Sequence, residues 1–336
     1  MVERFRERRL LVRVLGAFLL IYLIWGSTFL AIRVAIASMP PLLMCAARLL
    51  SAGLIMLAWA RARGEAWPRG VQWRDAALVG VLLPAIGNGS VTLGETHVAS
   101  GLVALLLATI PLWMALLAAF GPRPVRPGPQ VLLGLLLGFG GTALLIGPGI
   151  AGAGRTPTSP LWALIPVAGA FSWAWGSLWS RRATLPSSPI VSTGVGLVAG
   201  GALLAGLSAV AGEWARFEPS RVTAGSLAAL AYLSVFGSVV GFSAYLYLLR
   251  TVSPALVSTY AFVNPIVAMT LGTLFAGEAL TPRMLVAAAC VLVSVALITA
   301  SRARRAAAAP AAAGIAQSVT STRAERSPEG VSSRAK

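Results

Sequence analysis

Ten apolar runs, each close to twenty residues long, follow one another along this 336-residue chain and leave little sequence between them. A helix needs roughly 20 apolar residues to cross a bilayer. Split at Pro, Gly and Arg clusters, the runs fall at 13–33, 41–60, 76–96, 98–120, 129–148, 161–181, 190–211, 225–248, 254–275 and 283–301. Only 11% of the residues are charged against 57% hydrophobic, where a soluble domain carries about 25% charged. That composition cannot cover a water-facing surface, so the expected fold class is an all-α integral membrane protein of ten transmembrane helices. Residues 1–12 read as a charged N-terminal segment. The first run exceeds the 7–15-residue core of a secretory signal and reads as a retained span. Residues 302–336 are Ala, Ser, Arg and Gly without apolar period and read as a disordered tail.

The net charge of +17, from 27 basic and 10 acidic residues, would point to nucleic acid in a soluble chain. Here the Arg residues sort by side. With the N-terminus inside, 17 flank the inner ends of the spans, and the outer ends carry five: Arg33, Arg155, Arg216, Arg221 and Arg283. Such an excess is the positive-inside signal for both termini in the cytoplasm. The basic residues thus serve orientation, and no nucleic-acid partner is expected.

The rare residue types exclude whole classes of chemistry. One His (His97), one Asp (Asp75) and two Cys (Cys45 and Cys290) are too few for a zinc site. The single Lys, Lys336, has no Gly-rich context, so a phosphate-binding loop is absent and ATP cannot be spent that way. Cys45 and Cys290 lie in apolar stretches and read as small hydrophobes. Neither a metal nor a cofactor is expected. An intramembrane enzyme would need a nucleophile with its base, or paired carboxylates, inside the bilayer; the lone His and Asp near span ends argue against one.

The chain repeats itself. At an offset of 154, Val98-x-x-Gly101-Leu102-Val103 lies on Val252-x-x-Ala255-Leu256-Val257, and Pro111 on Pro265. At an offset of 150, Trp25-Gly26-Ser27 lies on Trp175-Gly176-Ser177; at 148, Pro41 lies on Pro189 and Ala52-Gly53 on Gly200-Gly201. Each unit holds five spans, so 13–148 and 161–301 would enter the membrane from opposite sides. Inverted repeats of this kind are the architecture of secondary transporters, with the solute handled near the midplane. The Gly134-xxx-Gly138, Gly196-xxx-Gly200 and Gly237-xxx-Gly241 spacings read as packing features.

Polar groups in hydrocarbon need a cavity or a partner. Asn88, Thr92 and Glu95 share a helical stripe, as do Ser253, Tyr260 and Asn264, and Ser238 with Tyr245. Thr109 and Trp113 flank Pro111, and prolines in mid-span free a carbonyl. Trp25, Trp113, Trp173 and Trp175 lie inside spans and are able to stack on a solute. Trp59, Trp67, Trp73, Trp162, Trp179 and Trp214 sit at span ends and suit an interfacial belt. Arg48, about 10 Å along its helix from Pro41, is the one charge well within a span. It either meets an anionic group of a solute or pairs with Glu95 or Glu278. The candidate substrate-binding residues are therefore Trp25, Arg48, Asn88, Thr109, Trp113, Trp175, Tyr245, Tyr260 and Asn264. Glu95 and His97 are the candidates for proton coupling.

Through Trp25-Gly26-Ser27, Pro40-Pro41, Arg48, Ser253-Pro254-Ala255, Asn264-Pro265 and Gly277-Glu278, the chain resembles the EamA family of the drug/metabolite transporter superfamily. Gly87-Asn88-Gly89 and the Asn-Pro run add a likeness to YedA-type bacterial inner-membrane exporters. The resemblance covers about 13–301. It implies two inverted EamA repeats of five helices, and export of small metabolites, amino acids or toxic compounds across a bacterial inner membrane. It also implies a central cavity lined by the first four helices of each half, with the fifth and tenth peripheral. The expected partners are a small-molecule substrate and the lipid bilayer, with monomer and homodimer both open. A passive channel is the alternative reading. One departure stands out: the position matching Glu278 at the 154 offset is Pro124, which speaks against a role needing paired glutamates.

Overall fold

Proline and glycine divide the apolar sequence into helices. The structure, a computed structural model, describes residues 2–120, 124, 126–146, 159–252, 254–257, 259–301 and 304. Besides the short turns Glu213–Arg216 and Pro219–Arg221, ten helical elements run through them: α1 Val2–Ala35, α2 Pro41–Ala62, α3 Val71–Glu95, α4 Ser100–Ala119, α5 Pro129–Ile146, α6 Leu161–Ser180, α7 Pro189–Val210, α8 from Ala224 to Thr251, α9 from Pro254 to Ala276, and α10 Pro282–Ser301. Nine are long and apolar enough to cross a membrane; in α9 the apolar piece Tyr260–Ala276 is shorter. No strand occurs among the described residues. Pro41 and Pro189 open α2 and α7 at the position where a missing N–H costs nothing. Gly277, at φ 63°, closes α9 in the left-handed conformation that glycine takes without strain.

Two expectations are refined. The ninth span is not one 22-residue helix: a single turn, Pro254–Val257, precedes Tyr260–Ala276, with Thr259 in the turn between them. The fourth is likewise interrupted, Ser100–Leu107 giving way to Ile110–Ala119 at Ala108-Thr109. The charged N-terminal segment is helical and part of α1, which begins at Val2. The tail expected to be disordered lies, except for Arg304, outside the described residues.

The third and eighth helices depart from α geometry at matching places. Val81–Asn88 in α3 and Leu233–Val240 in α8 are π-helical, eight residues each and 152 positions apart. The causes are local. Pro84 has no N–H to donate, and Ser238 Oγ donates to the Leu233 carbonyl five residues back, at 3.1 Å. A π turn widens the helix and re-aims the side chains beyond it.

The helices of the two chain halves interleave. α2 lies along α7; α1 packs on α8 and α9, while α6 packs on α3 and α4. Small residues allow the close approach that lets helices associate in lipid. A Cβ on Gly53 would sit 2.9 Å from the Gly194 carbonyl oxygen, and one on Gly80 would run into the Gly196 backbone. α5 and α10 pair with each other, Ser294 Oγ donating to the Gly134 carbonyl at 2.5 Å and Gln130 Nε2 to that of Leu297 at 3.2 Å. Cys45 and Cys290 are free thiols, Cys45 inside the apolar cluster between α2 and α7.

Gly80→Val should push α3 off α7 and destabilise the fold by about 1–3 kcal/mol. Gly206→Ala on α7, where the added methyl meets nothing within 4 Å, should be neutral or stabilise by up to about 1 kcal/mol. Thermal unfolding of the detergent-solubilised protein separates the two; equal melting temperatures would contradict the close approach of α3 and α7.

Candidate functional site

An aromatic wall forms where α1 meets α8 and α9. Trp25 stands 5.4 Å from Tyr245, 5.1 Å from Tyr260 and 5.8 Å from Phe242, ring centroid to centroid, and Tyr245 lies 6.0 Å from Tyr260. The π stretch of α8 helps to hold it. Its Gly237 carbonyl accepts from Trp25 Nε1 at 3.2 Å, and any side chain at Gly241 would collide with the indole. Asn264 is one turn beyond Tyr260, beside the point where Gly26 meets α9. It is buried, and its Oδ1 has no partner.

Arg48 approaches the same wall from α2. Its side chain is 4% exposed as a residue, Nε donates to Ser238 Oγ at 3.3 Å, and Nη2 packs beside Gly237. Nη1 has no hydrogen-bond partner. Of the two alternatives for Arg48, the pairing is not formed: Glu278 is engaged with Arg33 at 3.0 Å, and neither Glu95 oxygen has a donor. Hydroxyls extend this polar seam: Ser51 Oγ donates to Ser234 Oγ at 2.9 Å, and Ser27 shares a hydrogen bond with Tyr232 at 2.7 Å.

A second group gathers on α3, α4, α5 and α6. Trp113 meets Phe139 at 4.9 Å and Phe171 at 5.4 Å, both edge-on, and Phe171 meets Trp175 at 6.0 Å. The indole N–H of Trp113 is buried without a partner. Trp175, the repeat counterpart of Trp25, is 49% exposed on the stripe of α6 that also carries Leu161, Leu164 and Phe171. Asn88 ends the π stretch of α3 and donates Nδ2 to the Pro84 carbonyl at 3.2 Å. Thr109 donates to the Leu106 carbonyl and is fully buried at the break in α4. Local backbone carbonyls thus take up the donors of Asn88 and Thr109. Trp25, Arg48, Tyr245, Tyr260 and Asn264 come together in the first group, and Trp113 and Trp175 in the second.

The residues that sequence reasoning missed are carboxylate caps and one cation. At the end of the bundle where α1 stops, Glu278 accepts from the Ser100 and Gly101 N–H groups at 2.7 and 3.1 Å, which caps α4. Glu213 accepts from Leu42 and Leu43 at the start of α2. At the opposite end Asp75 accepts from Thr184 N–H at 2.7 Å. The sign of Arg33 was visible in the sequence, but its partner lies 245 residues away. His97, which shares a 2.6 Å hydrogen bond with Thr96 through Nδ1, stacks on Trp162 at 3.6 Å. Glu95 is 1% exposed with both oxygens unpartnered. Glu278, which the repeat leaves without a counterpart at Pro124, is taken up by Arg33 and by the Ser100 and Gly101 N–H groups.

A model of the EamA-like transporter family matches residues 13–147 and again 160–300. The chain belongs to the EamA family. It is 38% identical over 298 residues to the inner membrane transporter YedA of Escherichia coli (strain K12), an alignment that covers 88% of this chain and 92% of that one. A chloroplastic WAT1-related protein of Arabidopsis thaliana is 30% identical, covering 82% of this chain and 67% of its own. A solved crystal structure superposes over 87% of this EamA chain and 98% of its own with a TM-score of 0.57; at 23% identity the likeness is one of fold. The molecule is a multi-pass membrane transporter of that family.

Glu278→Ala should leave two helix-start N–H groups and Arg33 without an acceptor and destabilise the protein by about 2–3 kcal/mol. Gly272→Ala should act in the same direction through geometry alone, because its Cβ would lie 2.5 Å from Glu278 Oε2. Thermal melting in detergent reads both; wild-type stability in the two variants would remove Glu278 from the framework.

Proposed function

We propose that this EamA chain is a secondary transporter that exports small organic solutes across a bacterial inner membrane by alternating access. The observation that carries the reading is the double match of the family model, once to each half of the chain. It is supported by the reciprocal packing of α1 on α8 and α9 and of α6 on α3 and α4. The π stretches at equivalent places in α3 and α8 support it further. In this reading 13–148 and 161–301 are two inverted five-helix units, and the Arg distribution puts both termini in the cytoplasm. The inner-membrane placement is supported by the likeness to the inner membrane transporter of Escherichia coli.

The solute is held between the halves. Trp25, Tyr245 and Tyr260 offer aromatic faces to its apolar body, and Arg48, with an uncommitted Nη1, meets an anionic group. Asn264 and Trp113 supply an unpartnered acceptor and donor, and Asn88, Thr109 and Trp175 complete the opposite wall. Partly satisfied polar groups in a membrane interior suit such a task, because a passing solute supplies the missing partners at no permanent cost. Of the two candidates for proton coupling, Glu95 takes the role. His97 does not, since its ring is stacked on Trp162 and its Nδ1 is bonded.

A screen of efflux and growth inhibition in cells with and without the protein identifies a solute. With that solute, Asn264→Ala and Asn88→Ala should each lower transport about tenfold or more, while the protein remains folded in the membrane. Unchanged transport in both would remove these residues from the site. Counterflow in proteoliposomes distinguishes the carrier from a passive channel: solute on the far side accelerates exchange only through a carrier, and its failure to do so would overturn the reading.

A further inference from the structure

The end of the bundle where α1 stops holds a charge arrangement that solute binding between the halves leaves unexplained. Glu95 closes α3, and neither of its carboxylate oxygens has a donor. Around Glu95 the charged side chains come from Glu278, which caps Ser100 and Gly101 five and six residues on, from Arg33 of α1, which holds Glu278, and from Arg48 of α2. Neither arginine forms an ion pair with it: Arg33 is held by Glu278 at 3.0 Å, and Arg48 reaches to Ser238 on α8. Two further titratable groups stand nearby: Cys45, one turn from Arg48 on α2, is buried among apolar residues, and the His97 ring lies flat on Trp162. An ionised carboxylate removed from water with no donor and no contacting cation costs several kcal/mol, and a bound proton abolishes that cost.

We propose that Glu95 is a proton-binding site, and that Arg33 and the proton exchange there as the tie between Arg33 and Glu278 opens and closes. With the tie closed, Arg33 neutralises Glu278, the second-half carboxylate that caps the first-half helix α4, and Glu95 holds its proton. When α9 withdraws Glu278, the guanidinium turns to Glu95. The O–H bond then breaks, its electron pair stays on the carboxylate oxygen, and the proton passes to water entering at the opened end. One cation is shared between two carboxylates, so each opening releases one proton. The proposal rests on the transporter reading only for its consequence, that proton release accompanies each cycle.

The site is testable without any solute. The purified full chain, reconstituted in phosphatidylethanolamine and phosphatidylglycerol vesicles, is titrated while infrared difference spectra follow the carbonyl stretch of protonated carboxyl groups. A band present at neutral pH should disappear in Glu95→Gln and persist in His97→Gln. In Glu278→Gln, Arg33 is free to turn, and the titration of the band should move to lower pH by about one unit or more. In Arg33→Gln the band should persist to higher pH, which reads the same exchange from the other partner should Glu278→Gln fail to fold. A missing Glu95-dependent band overturns the proton site. A band unmoved in both charge variants overturns the exchange, and loss of the band on adding sodium at fixed pH makes it a metal-cation site instead. Absence of solute flux would sink the transporter reading while leaving the band in place, so the two failures are distinguishable.

Discussion

A helix start buried within the bundle has N–H groups and no water to accept from them. Much of the polar chemistry of this bundle answers that constraint. Glu278 serves the start of α4 and Glu213 the start of α2, while Asp75 ties the exposed connection ahead of α7 through the Thr184 N–H. Each is a carboxylate from one half of the chain meeting backbone of the other. A charge-assisted bond to an N–H is stronger than a neutral one, and it favours the helix dipole at the same time. The ends of the helices are therefore where the halves are tied, and Arg33 sits at the tie made by Glu278.

Between those ends, cohesion comes from close backbone approach instead of from charge. Lipid gives apolar side chains no reason to leave it, so helices meet where small residues let them touch. Gly53 with Gly194, and Gly80 with Gly196, fix α2 and α3 on α7. The π stretch of α8 interrupts this regular packing at the level of the aromatic wall. There the Gly237 carbonyl reaches Trp25 and the absence of a side chain at Gly241 leaves space for the indole. Gly237-xxx-Gly241 is thus both a packing feature and the frame of the candidate site.

Much of the fold could be read along the chain. Apolar runs, prolines and glycines locate the helices because hydropathy and helix initiation are local properties. The breaks near Thr109 and Thr259 and the π geometry of α3 and α8 could not be read this way. A 3.6-residue period assumes that each carbonyl finds the N–H four residues on, and Pro84 and the Ser238 hydroxyl each upset that pattern. Among the candidate residues, the gathering of Trp25, Tyr245, Tyr260 and Arg48 was partly legible as polar and aromatic positions inside spans. Trp175 shows the limit of the repeat: its sequence match to Trp25 is plain, yet Trp25 is enclosed by three rings and Trp175 is half exposed.

The sequence by itself determined that this chain is a membrane protein of the EamA family, rich in Arg and poor in catalytic side chains. Composition and short ordered motifs suffice for that, since neither depends on which helix faces which. Only the tertiary structure decided the partners of the buried charges. Glu278 was one of two carboxylates open to Arg48; it meets Arg33, 245 residues away. A buried ion chooses its counterion by distance in space, and that distance is set by helix packing that no local pattern encodes.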